Sequence, residues 1–92
     1  MVNLARTLGQ LADEGLWIVG AEGESKTNIY QFDWDRDLVL VLGSEGKGLS
    51  KVVRDQCHHL VGIPRLGHLN SLYVSVATGI ILSEIVRQRG SY

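Results

Sequence analysis

The 92-residue sequence contains one cysteine and one proline, and its charges almost cancel. Cys57 alone cannot form an intramolecular disulfide, which favours a reducing compartment. Nine Lys and Arg against ten Asp and Glu leave a formal net charge of -1, so the sequence lacks the basic excess typical of nucleic-acid-binding domains. We find no signal peptide and no apolar run long enough to cross a bilayer. The composition predicts a single cytoplasmic domain over residues 1–92.

What the sequence does contain is a regular alternation of helical and strand patterns. Asn3 can cap a helix that ends at Gly15, because Leu4, Leu8 and Leu11 fall on one of its faces. We expect strands over 16–21, 38–42 and 59–63, helices over 49–57 and 71–90, and a loop with at most one helical turn over 22–37. This order predicts a small parallel α/β sheet with helices on both faces.

Two of these elements contain more apolar residues than an element with one buried and one exposed face would need. The segment "LVLVL" (38–42) does not alternate with polar residues, which predicts a strand that is buried on both faces. The last helix is apolar nearly all round from Val74 to Ile85, so two surfaces must cover it. We expect the sheet to cover one side and a second chain to cover the other.

The stretch "VLGSEGKGLS" (41–50) follows the strand over 38–42 and is rich in glycine. A phosphate-binding P-loop is excluded, because Leu49 stands where that motif needs lysine. The dinucleotide pattern GxGxxG is excluded by the spacing of Gly43, Gly46 and Gly48. A plain strand-to-helix turn would also use glycines. Ligands of parallel sheets sit beyond the carboxyl ends of the strands. This loop and "IPRLGHLNS" (63–71) leave two strands at that end, so together they form the candidate site.

"LVLGSEGKGLS" followed by "IPRLGHLNSLYVSVATGIILSE" resembles the second and third signature motifs of the SpoU/TrmH RNA ribose methyltransferases, a branch of the SPOUT superfamily. The upstream "NLARTLGQLADEGLWIVGAEGE" is similar to bacterial 23S ribosomal-RNA guanosine 2'-O-methyltransferases. The resemblance covers nearly the whole chain. It implies a deep trefoil knot that binds S-adenosylmethionine, and a homodimer through the C-terminal helix.

The resemblance also implies which residues form the site. Backbone groups of Gly43, Ile63 and Leu72 would hydrogen-bond the adenine edge of the cofactor. The side chains of Leu42, Pro64 and Leu66 would pack against the adenine ring. The cofactor-binding residues are then Leu42, Gly43, Gly46, Ile63, Pro64, Leu66 and Leu72. The catalytic candidates are Glu45, facing the reaction centre or the partner subunit, and Ser71, which could equally be only the cap of the last helix. Lys47 either meets RNA phosphate or is a solvated loop charge.

The sequence departs from the family pattern in two ways. The family's Arg motif, which helps to activate the ribose 2'-hydroxyl, matches no part of these residues, since Arg6 corresponds to another part of the family. Tyr73 stands where the family has a functional Asn, and a phenol cannot present the donor and acceptor pair of an amide. We therefore expect the isolated chain to be inactive and to bind RNA weakly. The alternative is a non-catalytic knotted dimerisation scaffold, excised or designed.

Two other groups of residues have competing interpretations. Cys57, His58, His59 and His68 could suggest zinc, but adjacent side chains diverge and no second CxxC or HxxxH motif completes a set of four ligands, so we predict no metal site. Trp17, Phe32 and Trp34 could stack RNA bases or pack in the core or a dimer interface.

Overall fold

The computed structural model describes residues 3–22, 25–43, 48–63 and 74–90. Its elements follow in chain order as α1 (Leu4–Asp13), β1 (Trp17–Ala21), β2 (Thr27–Asn28), β3 (Leu38–Leu42), α2 (Lys51–Asp55), β4 (His59–Gly62) and α3 (Val74–Arg89). Within these ranges no helix is long and apolar enough to cross a membrane.

The four strands form one parallel sheet in the order β2-β4-β1-β3. Each face of the sheet has its own buried cluster. On the face that α1 and α2 cover, the buried residues are Leu8, Ile18, Val41 and Leu49. On the other face, which α3 covers, the buried residues are Val19, Ile29, Phe32, Trp34, Val61 and Ile81. The sequence prediction of a small parallel sheet with helices on both faces is therefore confirmed.

The helix boundaries follow from local capping. Asn3 caps α1 as expected, because its side-chain oxygen accepts a hydrogen bond from the Arg6 backbone N–H at 3.1 Å. Ser50 caps α2 by accepting from the Val53 N–H at 3.3 Å. This cap explains why α2 begins later than the expected residue 49: Leu49 is buried against the sheet before the helix starts.

Two strand predictions need correction. β2 falls in the segment expected to be a loop; it is two residues long and is held only by backbone pairing with β4, so it leaves no side-chain pattern. β3 contacts the core on both faces as expected, but it is an edge strand that pairs with β1 alone among the described strands. Only Val41 in β3 is fully buried, and the other four residues are half-buried.

The carboxyl end of α3 is anchored to the turn before β3. The Gln88 side-chain oxygen accepts from the Trp34 backbone N–H at 2.9 Å, and the Arg89 Nε donates to the Trp34 carbonyl at 3.2 Å. Trp34 itself is fully buried and donates its indole N–H to the Ile29 carbonyl at 2.8 Å. Trp34 and Phe32 are thus buried in the core, which agrees with the packing alternative given for these aromatic residues. The trefoil knot depends on the path of residues 64–73, which lie outside the described ranges, and it stays a prediction.

Candidate functional site

The carboxyl ends of three strands meet at one edge of the sheet. Ala21, the last residue of β1, is in register with Leu42 of β3 on one side and with Val61 of β4 on the other. Gly43 therefore follows β3 beside Glu22, and β4 ends at Gly62 on the opposite side of β1. The starts of the two predicted site loops are brought to the same edge, because parallel strands end in the same direction.

The first site loop closes on itself. A Cβ placed on Gly43 would lie 2.6 Å from the Cα and 2.7 Å from the carbonyl oxygen of Gly48. Gly48 has a φ of +69°, in the region that favours glycine. The two ends of the loop thus touch through bare backbone, and any side chain at position 43 would force them apart. This contact is a structural reason for glycine at 43 that does not require a ligand, and the cofactor contact of Gly43 stays a prediction.

The second strand end is crossed by the chain that follows β1. A Cβ on Gly62 would lie 2.8 Å from the Glu22 carbonyl oxygen and 3.2 Å from the Ser25 backbone nitrogen. Glu22 also donates its N–H to the Val61 carbonyl, and the Ser25 hydroxyl donates to the Leu60 carbonyl, both within 2.8 Å. The backbone after β1 therefore lies directly against the end of β4.

An ion pair that the sequence did not reveal links this edge to α2. The Arg54 guanidinium lies 2.5 Å from the Glu22 carboxylate, whose side chain is only 18% exposed. Burial, together with the nearby Glu22 charge, raises the pKa of the Cys57 thiol. Glu22 and Arg54 are 32 positions apart, so neither helical periodicity nor a motif could have paired them. The pair holds α2, which follows the glycine loop, against the end of β1.

Two further predicted cofactor residues lie within the described ranges. Leu42 and Ile63 are half-buried and pack against the cluster under α3. Both stand at the carboxyl ends of their strands, so they can form apolar walls at this edge. The remaining site candidates lie outside the described residues, and their roles stay predictions: Glu45, Gly46, Pro64, Leu66, Ser71 and Leu72.

The histidines beside Cys57 make contacts with β1. His58 Nδ1 accepts a hydrogen bond from the Ile18 backbone N–H at 2.9 Å. His59 packs its ring against Trp17 at a centroid distance of 4.5 Å. Over the described ranges, no three His, Cys, Asp or Glu side chains are grouped closely enough to hold a metal ion.

The outer face of α3 carries apolar residues that this chain leaves exposed. Val76, Leu82 and Val86 are 47%, 49% and 38% exposed. Small residues lie among them and line a shallow groove of about 550 Å³ beside Tyr30. The opposite face of the same helix carries Ile81, which is 1% exposed against the sheet. Within the described ranges, α3 is therefore covered on the side that faces the sheet, and the second chain expected on its other side stays a prediction.

Comparison with known proteins adds a family and several close relatives. Residues 1–83 match the model of the SpoU rRNA Methylase family. The 23S rRNA (guanosine-2'-O-)-methyltransferase RlmB of Pseudomonas putida is 51% identical over 89 residues, which are 97% of this chain and 36% of that protein. The chain thus spans about a third of the length of that curated relative.

Solved structures of two relatives share the fold. The SpoU methyltransferase AviRb from Streptomyces viridochromogenes, in complex with AdoMet, superposes with a TM-score of 0.83 at 31% identity, over 97% of this chain and 36% of that one. The A. aeolicus TrmH/SpoU tRNA modifying enzyme superposes with a TM-score of 0.88 at 35% identity, over 99% of this chain and 47% of that one. Both comparisons extend over nearly every element described above.

Proposed function

Because this chain belongs to the SpoU rRNA Methylase family, we propose that it forms the cofactor-binding part of an S-adenosylmethionine-dependent rRNA 2'-O-ribose methyltransferase of the cytoplasm. The observation that carries the proposal is the meeting of the Leu42–Gly43 and Gly62–Ile63 strand ends on either side of β1. Loops that leave a parallel sheet at such an edge are where nucleotide-like ligands bind. AviRb, which shares this fold, has been solved with AdoMet.

The residues at this edge fit an adenosine-like ligand. Leu42 and Ile63 offer apolar surface at the ends of two strands, and Gly43 leaves the adjoining backbone without a side chain. When bound, S-adenosylmethionine supplies an electrophilic methyl group. The role we assign to this chain is to hold the adenosine part by backbone contacts from the two loops, with Glu45 and Ser71 as the polar groups nearest the reaction.

We further propose that these 92 residues do not transfer the methyl group by themselves. No segment matches the family's Arg motif, and Tyr73 replaces the family's Asn. The ribose hydroxyl is a very weak acid, so attack on the methyl group needs a positioned base or charge that lowers the cost of losing its proton. Transfer of labelled methyl from S-adenosylmethionine to 23S rRNA fragments measures this directly, and turnover by the chain alone would contradict it.

The two-loop site is tested by calorimetric titration with S-adenosylmethionine and S-adenosylhomocysteine. We expect saturable binding at one site per chain. Gly43→Val should abolish it, because the new side chain would clash with the Gly48 backbone and open the loop. Ile63→Ala serves as a milder variant that should weaken binding and leave the glycine loop intact, while Gly9→Ala in α1 should bind normally.

The outcome also separates the proposal from its alternative. Absence of binding heat on a folded sample would overturn the cofactor site and would leave a non-catalytic dimerisation scaffold as the function. We propose homodimerisation in either case, through the outer face of α3, because Val76, Leu82 and Val86 form an apolar strip that nothing in the described chain covers.

A further inference from the structure

Glu22, the residue that follows β1, contacts the elements that adjoin the two site loops. Its backbone N–H donates to the Val61 carbonyl at 2.8 Å. Its own carbonyl oxygen lies against Gly62, where a Cβ would approach it to 2.8 Å. Its carboxylate lies 2.5 Å from the Arg54 guanidinium. Glu22 is thus attached by its backbone to β4, which leads into the second site loop, and by its side chain to α2, which follows the first.

The close packing of α2 on β1 brings the Glu22 side chain within reach of this helix. Side chains alternate between the two faces of a strand, so positions 20 and 22 share a face. A Cβ on Gly20 would lie 2.8 Å from the Cys57 sulfur and 2.8 Å from Leu49 Cδ1. The bare backbone at Gly20 therefore lets α2 and the residue before its cap lie directly on β1. Glu22, further along the same face, meets Arg54 one helical turn after the cap.

The position of α2 also determines where the first site loop returns to the sheet. Gly48 is the end of that loop which lies against Gly43. Leu49 follows it and is buried under α1 and α2. The Ser50 carbonyl then accepts from the Arg54 N–H at 2.8 Å, within the first turn of α2. Two residues therefore separate Gly48 from the helix that the ion pair holds.

The surroundings of the ion pair favour a fixed arrangement. The Glu22 side chain is only 18% exposed, so its carboxylate has lost most of its hydration and depends on the Arg54 cation. A second ion pair on α2, between Lys51 and Asp55, differs in both respects. Its side chains are largely exposed, and it joins two residues of the same helix. That pair cannot hold α2 to the sheet, which makes it a matched control.

We propose that Glu22 is a positioning residue of the cofactor site, which couples the two site loops by holding α2 and the end of β4 in one arrangement. This inference rests on the cofactor role proposed above. If both loops must be in place to hold the adenosine part, the apparent affinity is reduced by the fraction of chains in which they are. Glu22 would then act on binding through Arg54 and not by contact with the ligand.

Calorimetric titration of matched variants tests the coupling. Glu22→Gln and Arg54→Met should each weaken the binding of S-adenosylmethionine and of S-adenosylhomocysteine, both by about five- to tenfold. The double variant should bind no more weakly than either single variant, because both changes break the same contact. Asp55→Asn should bind as the unaltered chain does. The titrations are made where circular dichroism shows every variant folded, since a contribution to folding alone would leave the affinity of folded chains unchanged.

The two ligands separate positioning from direct contact. S-adenosylmethionine carries a sulfonium cation that S-adenosylhomocysteine lacks. If the Glu22 carboxylate attracted this cation, Glu22→Gln would weaken the binding of S-adenosylmethionine alone, and Arg54→Met would not weaken it. That result would overturn the proposal, as would additive losses in the double variant or an unchanged affinity for both ligands.

Amide hydrogen exchange tests the same coupling without a ligand. The N–H groups of Glu22 and Ile29 donate to the last two carbonyls of β4. Arg54→Met, which alters only α2, should speed exchange of these two groups by about five- to tenfold. The Trp34 N–H, which donates to a side chain of α3, should exchange at its original rate. Asp55→Asn should change none of them.

The exchange measurement keeps this inference separate from the proposed function. If the unaltered chain binds neither ligand, the cofactor site fails, and exchange then decides whether Glu22 couples α2 to the end of β4. Faster exchange at Glu22 and Ile29 with Trp34 unchanged would support the coupling. Unchanged exchange in Arg54→Met, or equal acceleration at Trp34, would overturn it, because the latter indicates a general loss of stability.

Discussion

At the scale of single residues, two glycines of this chain allow another segment of backbone to approach more closely than any side chain would permit. Gly43 lets the two ends of the first site loop touch, and Gly62 lets the chain after β1 lie against β4. Gly9, by contrast, would carry a Cβ at an ordinary contact distance of 3.4 Å from Gln56. Glycine at 43 and 62 is therefore required by tertiary contact, whereas glycine at 9 is not.

We expect Gly62→Ala to destabilise the fold by about 1–3 kcal/mol, because the new methyl would meet backbone atoms that cannot rotate away. Gly9→Ala is the matched control and should stabilise α1 by about 0.5–1 kcal/mol, since alanine loses less backbone entropy in a helix. Urea unfolding measures both. A Gly62→Ala protein as stable as the parent would show that Glu22 and Ser25 do not cross the end of β4.

His58 offers a second test at this scale. Its Nδ1 accepts from the Ile18 N–H, and Ile18 is fully buried. His58→Ala should cost about 1–3 kcal/mol, because it leaves that buried donor without a partner. His58→Asn retains a side-chain acceptor and should recover part of the loss. Equal destabilisation of the two variants in thermal unfolding would show that the hydrogen bond is not the cause.

At the scale of elements, α3 is fixed to the sheet by polar contacts at its carboxyl end as well as by Ile81. Glu84 is 4% exposed and accepts from Arg87 and from Gln88, each at 2.7 Å. Gln88 in turn accepts from the backbone of Trp34. A buried carboxylate is therefore connected through the Gln88 side chain to the segment that precedes β3, and its charge state bears on how α3 is held.

This network predicts an acid-sensitive stability. Hydrogen bonds from Arg87 and then Gln88 lower the pKa of Glu84 from 4.5 to about 2. A folded-state pKa below the unfolded value gives stability that is present above pH 4.5 and is lost as the pH falls towards 2. Glu84→Gln should flatten the pH dependence of urea unfolding in this window.

A suitable control removes a surface carboxylate. Asp55 pairs with Lys51 at 3.0 Å, but both side chains are largely exposed, so the pair contributes about 0.5 kcal/mol or less. Asp55→Asn should therefore keep most of the acid-induced loss. Asp33 titrates in the same direction, since hydrogen bonds from Asp35 and Arg36 lower its pKa, and Asp33→Asn measures that contribution. A Glu84→Gln protein with an unchanged pH profile would count against the network.

At the scale of the whole molecule, two apolar surfaces of different geometry remain uncovered by the described chain. The outer face of α3 is a helical strip, and β3 is a sheet edge. The homodimer proposed above would cover the helical strip by pairing it with its own copy about a two-fold axis.

We expect Leu82→Lys to weaken the homodimer proposed through the outer face of α3. The reason is that a charged group would have to be desolvated in the centre of the strip. Val52→Lys is the matched control, because Val52 is 62% exposed on α2, away from both surfaces. Sedimentation velocity should show smaller species for Leu82→Lys and no change for Val52→Lys. Equal effects of both would disprove a specific contact through α3.

From the sequence alone it was possible to predict the main strands and helices, the cap at Asn3 and the family. These features rest on short-range patterns or on motif spacing, which the chain carries whatever its neighbours are. The helix before Gly90 ends where Gly90 adopts a φ of +65°. The parallel direction of the strands also followed, because alternating strand and helix patterns leave few other topologies.

The order of the strands in the sheet and the contacts between distant residues became visible only in the fold. The Glu22–Arg54 pair, the hydrogen bond from Ile18 to His58 and the two residues of β2 join segments far apart in sequence. No local pattern encodes such contacts, because they depend on where the backbone travels between them. β3 has the same apolar composition whether it is central or at an edge, since composition reports burial of its faces and not pairing of its sides.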